Sequence, residues 1–360
     1  MKHLNLLLIL MTSAALAQNE REISNRQSTV RIMPLYQRWT IPNGAAISEV
    51  SVPIIASFPV GRNFDLALRG MQAQAGDAAK TLRGLTDTQL ACRYHLEAAP
   101  LVFNLEVNFP NGRKKLSLEE FEISTLLSLP QYNFQVSNFG QGLNVAPGFT
   151  WAVPISERFV LGLGASYQYK GKFRPLAYMR EDYDPGDEIL LTGGFDVRLG
   201  ATTTFSADLI YTAYGTDKTG DDDVFASGHQ IVANTQVRQY FGYNELRLFA
   251  RYRSKAKSDL VVGADLPSQP LKTLPDLTEL MGHYRFRLGR KLYSSILAEG
   301  RFYEKTQAAG IKILGLGLVP EIGLTDNCNM LIRLKYQTGR MRNSPALSGW
   351  EIGFGFGINF

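Results

Sequence analysis

Trp350-Glu351-Ile352-Gly353-Phe354-Gly355-Phe356-Gly357-Ile358-Asn359-Phe360 alternates without a break, with Trp, Ile and Phe on one set of positions and Glu, Gly and Asn on the other. Successive side chains of a strand point to opposite faces, so the stretch reads as a strand with one oily side and one small or polar side. A soluble antiparallel sheet has the same period of two. In a membrane barrel, however, the oily face meets lipid and the other meets the lumen, and eleven residues without an exception suit that setting.

The opposite end is consistent with export. Met1-Lys2-His3 is a short basic start, Leu4 to Met11 is apolar apart from Asn5, and Ala15-Leu16-Ala17 has the small-x-small form of a cleavage site. Residues 1–17 therefore read as a secretory signal peptide, too short in its apolar run to cross a bilayer as a helix, and 18–360 as the mature chain. The net charge of +5 is small and dispersed, which argues against nucleic acid as a partner. Cys92 and Cys328 are the only cysteines, and nothing in their spacing calls for a bridge.

No later stretch is long and apolar enough for a membrane helix, and lipid offers no partners to free backbone groups. A chain in this membrane must therefore be a closed barrel. A period-two template finds sixteen candidate strands between 29–41 and 347–360, the fourth of them at 87–97. The fold class expected is all-β, a transmembrane antiparallel barrel of about sixteen strands, with fourteen as the alternative. Links alternate in length, as barrel turns and outer loops do. Ile155-Ser156 and Tyr240-Phe241-Gly242 are short, whereas 75–86, 110–142, 170–187, 215–227, 256–276 and 339–346 are long; Pro42-Asn43-Gly44 is the tight exception.

The later strands reveal the inner face. Leu246, Leu248, Ala250 and Tyr252 oppose Glu245, Arg247, Arg251 and Arg253; Tyr284 and Phe286 oppose His283, Arg285 and Arg287; Leu334 and Tyr336 oppose Arg333 and Lys335. Arg or Lys facing lipid near the midplane costs ~2–4 kcal/mol, so these polar rows point inward and are joined by Glu299, Arg301, Glu321 and Glu351. Such a mixed-sign band is either a structural network of ion pairs or a charged constriction that selects solutes.

The 110–142 stretch carries Leu116, Leu118, Phe121, Ile123, Leu126 and Leu127 with acidic residues between them, and Ser117-Leu118-Glu119-Glu120 has the form of a helix cap. A short helix is expected there, acting as a plug in the barrel mouth, a lid over it, or a buttress for neighbouring loops.

Two resemblances follow from quoted residues. The terminal row Phe354, Phe356, Ile358 and Phe360 resembles the carboxy-terminal signal that the barrel-assembly machinery reads in Gram-negative outer-membrane proteins. Gly84-Leu85-Thr86-Asp87, followed by Leu90, Arg93, Tyr94 and Leu96, with Val50-Ser51-Val52-Pro53 before it, resembles outer-membrane proteins of meta-pathway phenol-degradation clusters, relatives of the long-chain fatty-acid transporters. That kinship implies a monomeric barrel passing small hydrophobic or aromatic compounds. The Asn-Pro-Ala plug of the fatty-acid transporters has no counterpart before the first strand, which leaves 110–142 as the substitute.

Catalytic chemistry has little support. His95, His229 and His283 lack metal-ligand spacing, and there is no Gly-x-Ser-x-Gly elbow. His283 with Ser294 or Ser295 is the least poor nucleophile pair and reads as structural. The acidic stretches 181–188 and 217–223 match no EF-hand and read as solvated loop tips. The sequence therefore leads to the expectation of a non-enzymatic, cofactor-free channel in a Gram-negative outer membrane, in contact with its lipids and lipopolysaccharide. The lead cargo is hydrophobic or aromatic solutes lined by residues such as Phe249, Tyr293 and Tyr303; a general porin and a non-conducting scaffold are the alternatives.

Overall fold

The computed structural model describes residues 27–40, 46–260, 270–304, 310–341 and 346–360; the signal peptide and the Pro42-Asn43-Gly44 turn lie outside them. Eighteen strand segments form one sheet, and two pairs of them are halves of interrupted strands, leaving sixteen antiparallel staves. They are β1 (Thr29–Ile32 and Leu35–Thr40), β2 (Ala46–Val60), β3 (Phe64–Gly76), β4 (Thr81–Leu85 and Thr88–Leu96), β5 (Leu101–Phe109), β6 (Asn144–Ser156), β7 (Phe159–Lys170), β8 (Glu188–Arg198), β9 (Thr203–Tyr214), β10 (Gln230–Phe241), β11 (Asn244–Lys255), β12 (Leu277–Arg287), β13 (Leu292–Tyr303), β14 (Ile311–Gly323), β15 (Cys328–Met341) and β16 (Ala346–Asn359). The first strand pairs with the last, Thr29 opposite Asn359 and Thr40 opposite Ser348, which closes the barrel. Closure satisfies the ladder groups that an open edge would expose.

Both interruptions have local causes. In β1, Pro34 has no N–H to donate, and its carbonyl instead accepts from Phe354 N–H at 2.9 Å. In β4, Leu85 opposes Gln72 while Gln89 opposes Arg69, so four steps along β4 match three along β3. This bulge turns Asp87 out of the ladder. It also corrects the expected outer loop at 75–86 and the strand start at 87: the ladder runs on through Thr81–Leu85, and the link shrinks to residues 77–80.

The terminal alternation fixes the faces. Trp350, Ile352, Phe354, Phe356, Ile358 and Phe360 are exposed on the outside, while Glu351 and the glycines between them are buried within. Tight turns occupy one rim, where Gly61 and Gly242 take φ of 68° and 62°, a left-handed conformation that costs glycine nothing. Long loops crown the other rim. Segments 183–184, 216–219, 222–226, 258–260 and 270–271 pair there into a second, five-stranded sheet. Among the described residues no helix is long and apolar enough to cross a membrane.

Candidate functional site

The long link between β5 and β6 folds into the barrel at the long-loop end. Its helix α1 (Leu118–Leu127) starts at a complete capping box: Ser117 Oγ accepts from Glu120 N–H at 3.3 Å, and the Glu120 carboxylate accepts from Ser117 N–H at 3.0 Å. The helix buries Ile123 and Leu127, and the chain after it buries Tyr132, Phe134, Val136 and Phe139. These join wall residues Trp39, Ile47, Met71, Ala73, Ala75, Leu82, Leu277, Tyr303, Ile311, Ile313 and Leu347 in one apolar cluster. The larger of the barrel's two buried apolar clusters among the described residues is therefore the contact between this segment and the upper wall, the smaller being Leu190, Ile210 and Val232.

Of the six expected plug residues, Leu116, Ile123 and Leu127 are buried in that cluster and Leu126 packs partly against it. Leu118 and Phe121, also among the expected plug residues, are exposed. The helix turns them away from the cluster because positions 118 and 121 share a face opposite 123 and 127.

Polar wall residues hold the backbone after the helix. Trp39 Nε1–H donates to Tyr132 O at 2.8 Å, Gln37 accepts from Gln135 N–H at 2.7 Å, and Glu49 accepts from Val136 N–H at 3.1 Å. From β13, four staves round from β1, Arg301 donates to Gln131 O at 3.1 Å and Tyr303 OH donates to Pro130 O at 2.8 Å. Trp39 lies flat because β16 presents Gly349 beneath it; a Cβ there would come within 2.8 Å of the indole.

Asp87, aimed inward by the bulge, pins both roots of the segment. One carboxylate oxygen accepts from Gly112 N–H at 2.8 Å, and the other accepts from Gln141 N–H at 2.7 Å and from the Asn108 side chain at 2.9 Å. Gly112 permits the approach, since a Cβ would meet Phe139 O at 2.1 Å. Loop 171–187 adds a clasp: Leu116 N–H donates to Pro175 O at 3.0 Å, and Ala177 N–H donates to Leu116 O at 2.9 Å.

The charged residues Arg247, Arg251, Arg253, Arg285, Arg287, Glu299, Arg301, Arg333 and Lys335 fall on the inward set of their strands, shown by pairings such as Arg247 with His283, Arg251 with Glu279, and Lys335 with Glu351. The structure sorts them by depth. Arg301 and Lys335 are buried beneath the inward segment and Glu299 is half-buried beside them, with Lys335 Nζ 2.7 Å and Arg301 Nε 3.6 Å from the Glu299 carboxylate. Arg251 reaches Glu279 at 3.1 Å and Asn234 at 3.0 Å, and Arg253 points up to Pro275 O at 3.5 Å.

Closer to the tight-turn rim the pairs open to the lumen. Arg333 binds Glu351, Arg247 binds Glu245 at 2.6 Å, and Arg285 binds Glu321 at 3.0 Å. The guanidinium is the more exposed partner: 42% against 4% for Arg333 and Glu351, and 38% against 13% for Arg247 and Glu245. Arg287 donates to Gly289 O at 2.9 Å and lies over the Tyr243 ring. The open surface is thus more cationic than a count of charges suggests.

Phe249, Tyr293 and Tyr303 do not come together in one pocket. Tyr303 is buried against the inward segment, Tyr293 stands ten residues down the same strand, roughly 33 Å away, and Phe249 lies under Arg251. Arg285 covers Tyr293 at 4.2 Å. The alternation of the strands gives each ring its face, whereas its height depends on register.

Among the described residues, no three His, Cys, Asp or Glu side chains gather as a metal site. The loop acids are engaged locally: Asp217 accepts from Tyr183 OH and from Gly186 N–H at 2.8 Å, and Asp187 accepts from Lys170 N–H at 2.9 Å. Among the described residues no hydrogen bond joins His283 to Ser294 or Ser295, and register puts Ser294 on the outer set. Cys92 and Cys328 are free thiols on the outer set.

No family model matches the chain, and no curated protein does. The resemblance of 84–96 to the phenol-pathway proteins therefore rests on those residues alone. Solved structures do match. OccK5 (OpdH) of Pseudomonas aeruginosa shares 10% identity over 93% of this chain and 98% of its own, with a TM-score of 0.50. OpdQ of the same organism shares 8% over 93% and 99% at 0.47, and a Rhodopseudomonas blastica porin triple mutant 11% over 92% and 100% at 0.42. The chain is a closed sixteen-stranded antiparallel barrel, and its likeness to OccK5 is one of fold.

Proposed function

We propose that the chain is a passive diffusion channel of a Gram-negative outer membrane, exported by its amino-terminal signal and monomeric. The 110–142 segment narrows its mouth, and the open arginines below give the lumen a preference for small anions. The outward row Phe354, Phe356, Ile358 and Phe360 serves recognition by the assembly machinery in this reading. The carrying observation is the pairing of a segment pinned inside the barrel with guanidinium groups left more exposed than their carboxylates. Charged constrictions of this kind select ions by sign.

A hydrophobic or aromatic cargo, as the Asp87 motif's resemblance implies, is the second reading, and the arginine-covered rings of Phe249, Tyr293 and Tyr243 speak for it. Reversal potential across a salt gradient in a planar bilayer tests the first. Steady anion-selective steps are expected, shifting towards cations in Arg247→Gln/Arg285→Gln/Arg333→Gln. Cation selectivity in the unaltered protein would overturn the preference, and silence with or without residues 118–127 would favour a scaffold.

A further inference from the structure

Cations are sparse on the outer wall, and three of them gather at one place. Lys312 on β14 and Arg340 on β15 stand directly opposite each other, both exposed on the outward set, and Arg38 on β1 is exposed on the same face two strands on. Arg340 opposes Ala346 and Arg38 opposes Trp350 on the intervening β16, which puts the two arginines on the order of 16 Å apart. Like charges directly opposite in a ladder repel, so the Lys312 and Arg340 arrangement stabilises nothing within the sheet. Among the described residues no carboxylate pairs with any of the three. Glu304, the nearest carboxylate along the ladder, lies two residues beyond the Phe302 that opposes Lys312.

Depth and sidedness give the cluster a purpose. Just towards the midplane, outward Tyr336 and Trp350 lie with ring centroids 4.6 Å apart, the residue types that mark a membrane interface. Lys312 and Arg340 beyond them, and Arg38 level with Trp350, sit at headgroup level, where an outward Lys or Arg costs ~0–1 kcal/mol instead of ~2–4 at the midplane. Across the barrel, the corresponding outward positions are Tyr169, Ile189, Tyr211, Ile231 and Tyr252, without a cation. The three-cation patch therefore lies on the β14–β1 side, with Arg83 on β4 a separate exposed outward cation.

We infer that Lys312, Arg340 and Arg38 form a docking site for the phosphate groups of an outer-leaflet glycolipid of the lipopolysaccharide type. Phosphate oxygens accept charge-assisted hydrogen bonds from two separated points, while the acyl chains run down over Tyr336, Trp350, Ile352 and Leu334. The inference rests on the membrane orientation in the channel reading, with the long loops outside.

Bisphosphorylated lipid A, its dephosphorylated form and phosphatidylglycerol, each titrated into the full chain in detergent and read by native mass spectrometry, test this. The unaltered protein should retain bisphosphorylated lipid A preferentially, and Arg38→Gln/Lys312→Gln/Arg340→Gln should bind it at least tenfold more weakly. Arg38→Lys/Arg340→Lys should keep most of the affinity, and Arg247→Gln/Arg285→Gln, inside the lumen, should keep all of it. Equal binding by the triple glutamine variant, or equal retention of phosphatidylglycerol, would overturn the site. Heat-modifiable migration on gels confirms that each variant is folded. A conducting protein without lipid A preference defeats this inference alone, and a silent barrel that keeps the preference defeats the channel reading alone.

Discussion

Replacing Asp87 by Ala should free the 110–142 segment while leaving the barrel closed. The carboxylate receives three donors, Gly112 N–H, Gln141 N–H and the Asn108 side chain, at 2.8, 2.7 and 2.9 Å. Hydrogen bonds to a charged acceptor contribute ~1.5–3 kcal/mol each, and water entering the vacated space recovers part of that. A net local loss of about 3 kcal/mol follows, equivalent to two decades in the opening equilibrium. Hydrogen exchange in nanodiscs should show amides of 112–141 exchanging about a hundredfold faster, with β10 to β14 unchanged. Asp87→Asn should fall between, because its amide keeps one acceptor and turns a donor toward donors. Unchanged protection across 112–141 in Asp87→Ala would refute the clamp and return the hold on the segment to the apolar cluster.

Three further outcomes are expected. Gly349→Leu drives a side chain into the Trp39 indole and should destabilise the barrel by ~1–3 kcal/mol, seen as a lower transition temperature of the heat-modifiable form. Ser117→Ala removes the cap of α1 and should cost ~1 kcal/mol, speeding exchange over 118–127 alone. Hydrogen bonds from Ala79 and Lys80 N–H, at 2.8 and 2.7 Å, hold the Asp77 carboxyl below its ordinary 3.8. A depressed carboxyl stabilises the folded turn at pH above its unfolded value and loses that contribution as pH falls through the lower folded value. Amide signals of Ala79 and Lys80 should therefore persist down to pH 3.8 and shift only below it; loosening at higher pH would contradict this.

Much of the barrel was legible from the chain. The alternation of 350–360 assigned each of its residues to the face it occupies, and the opposed rows of 243–255, 277–288 and 328–338 placed Arg247, Arg285 and Lys335 inward. These readings work because a strand's period is two and lipid rejects charge, so face is a property of parity alone. The helix at 118–127 was visible in its cap, which involves only neighbours in sequence.

Long-range register was not legible. The bulge at Thr86 and Asp87 breaks the period, so the pattern placed a loop at 75–86 where the ladder continues. For the same reason nothing local distinguished Arg301, buried under the segment, from Arg333, open to the lumen. Gln37, Trp39 and Glu49 carry no motif, and their role in holding residues 132–136 depends on partners 87 to 98 positions away. Sequence by itself determined the strands, their faces and the helix, because those follow from periodicity and near neighbours. Only the tertiary structure decided that 110–142 lies inside the barrel, which charges it covers, and that three outward cations share one side, because each depends on the order and stagger of strands around a closed sheet.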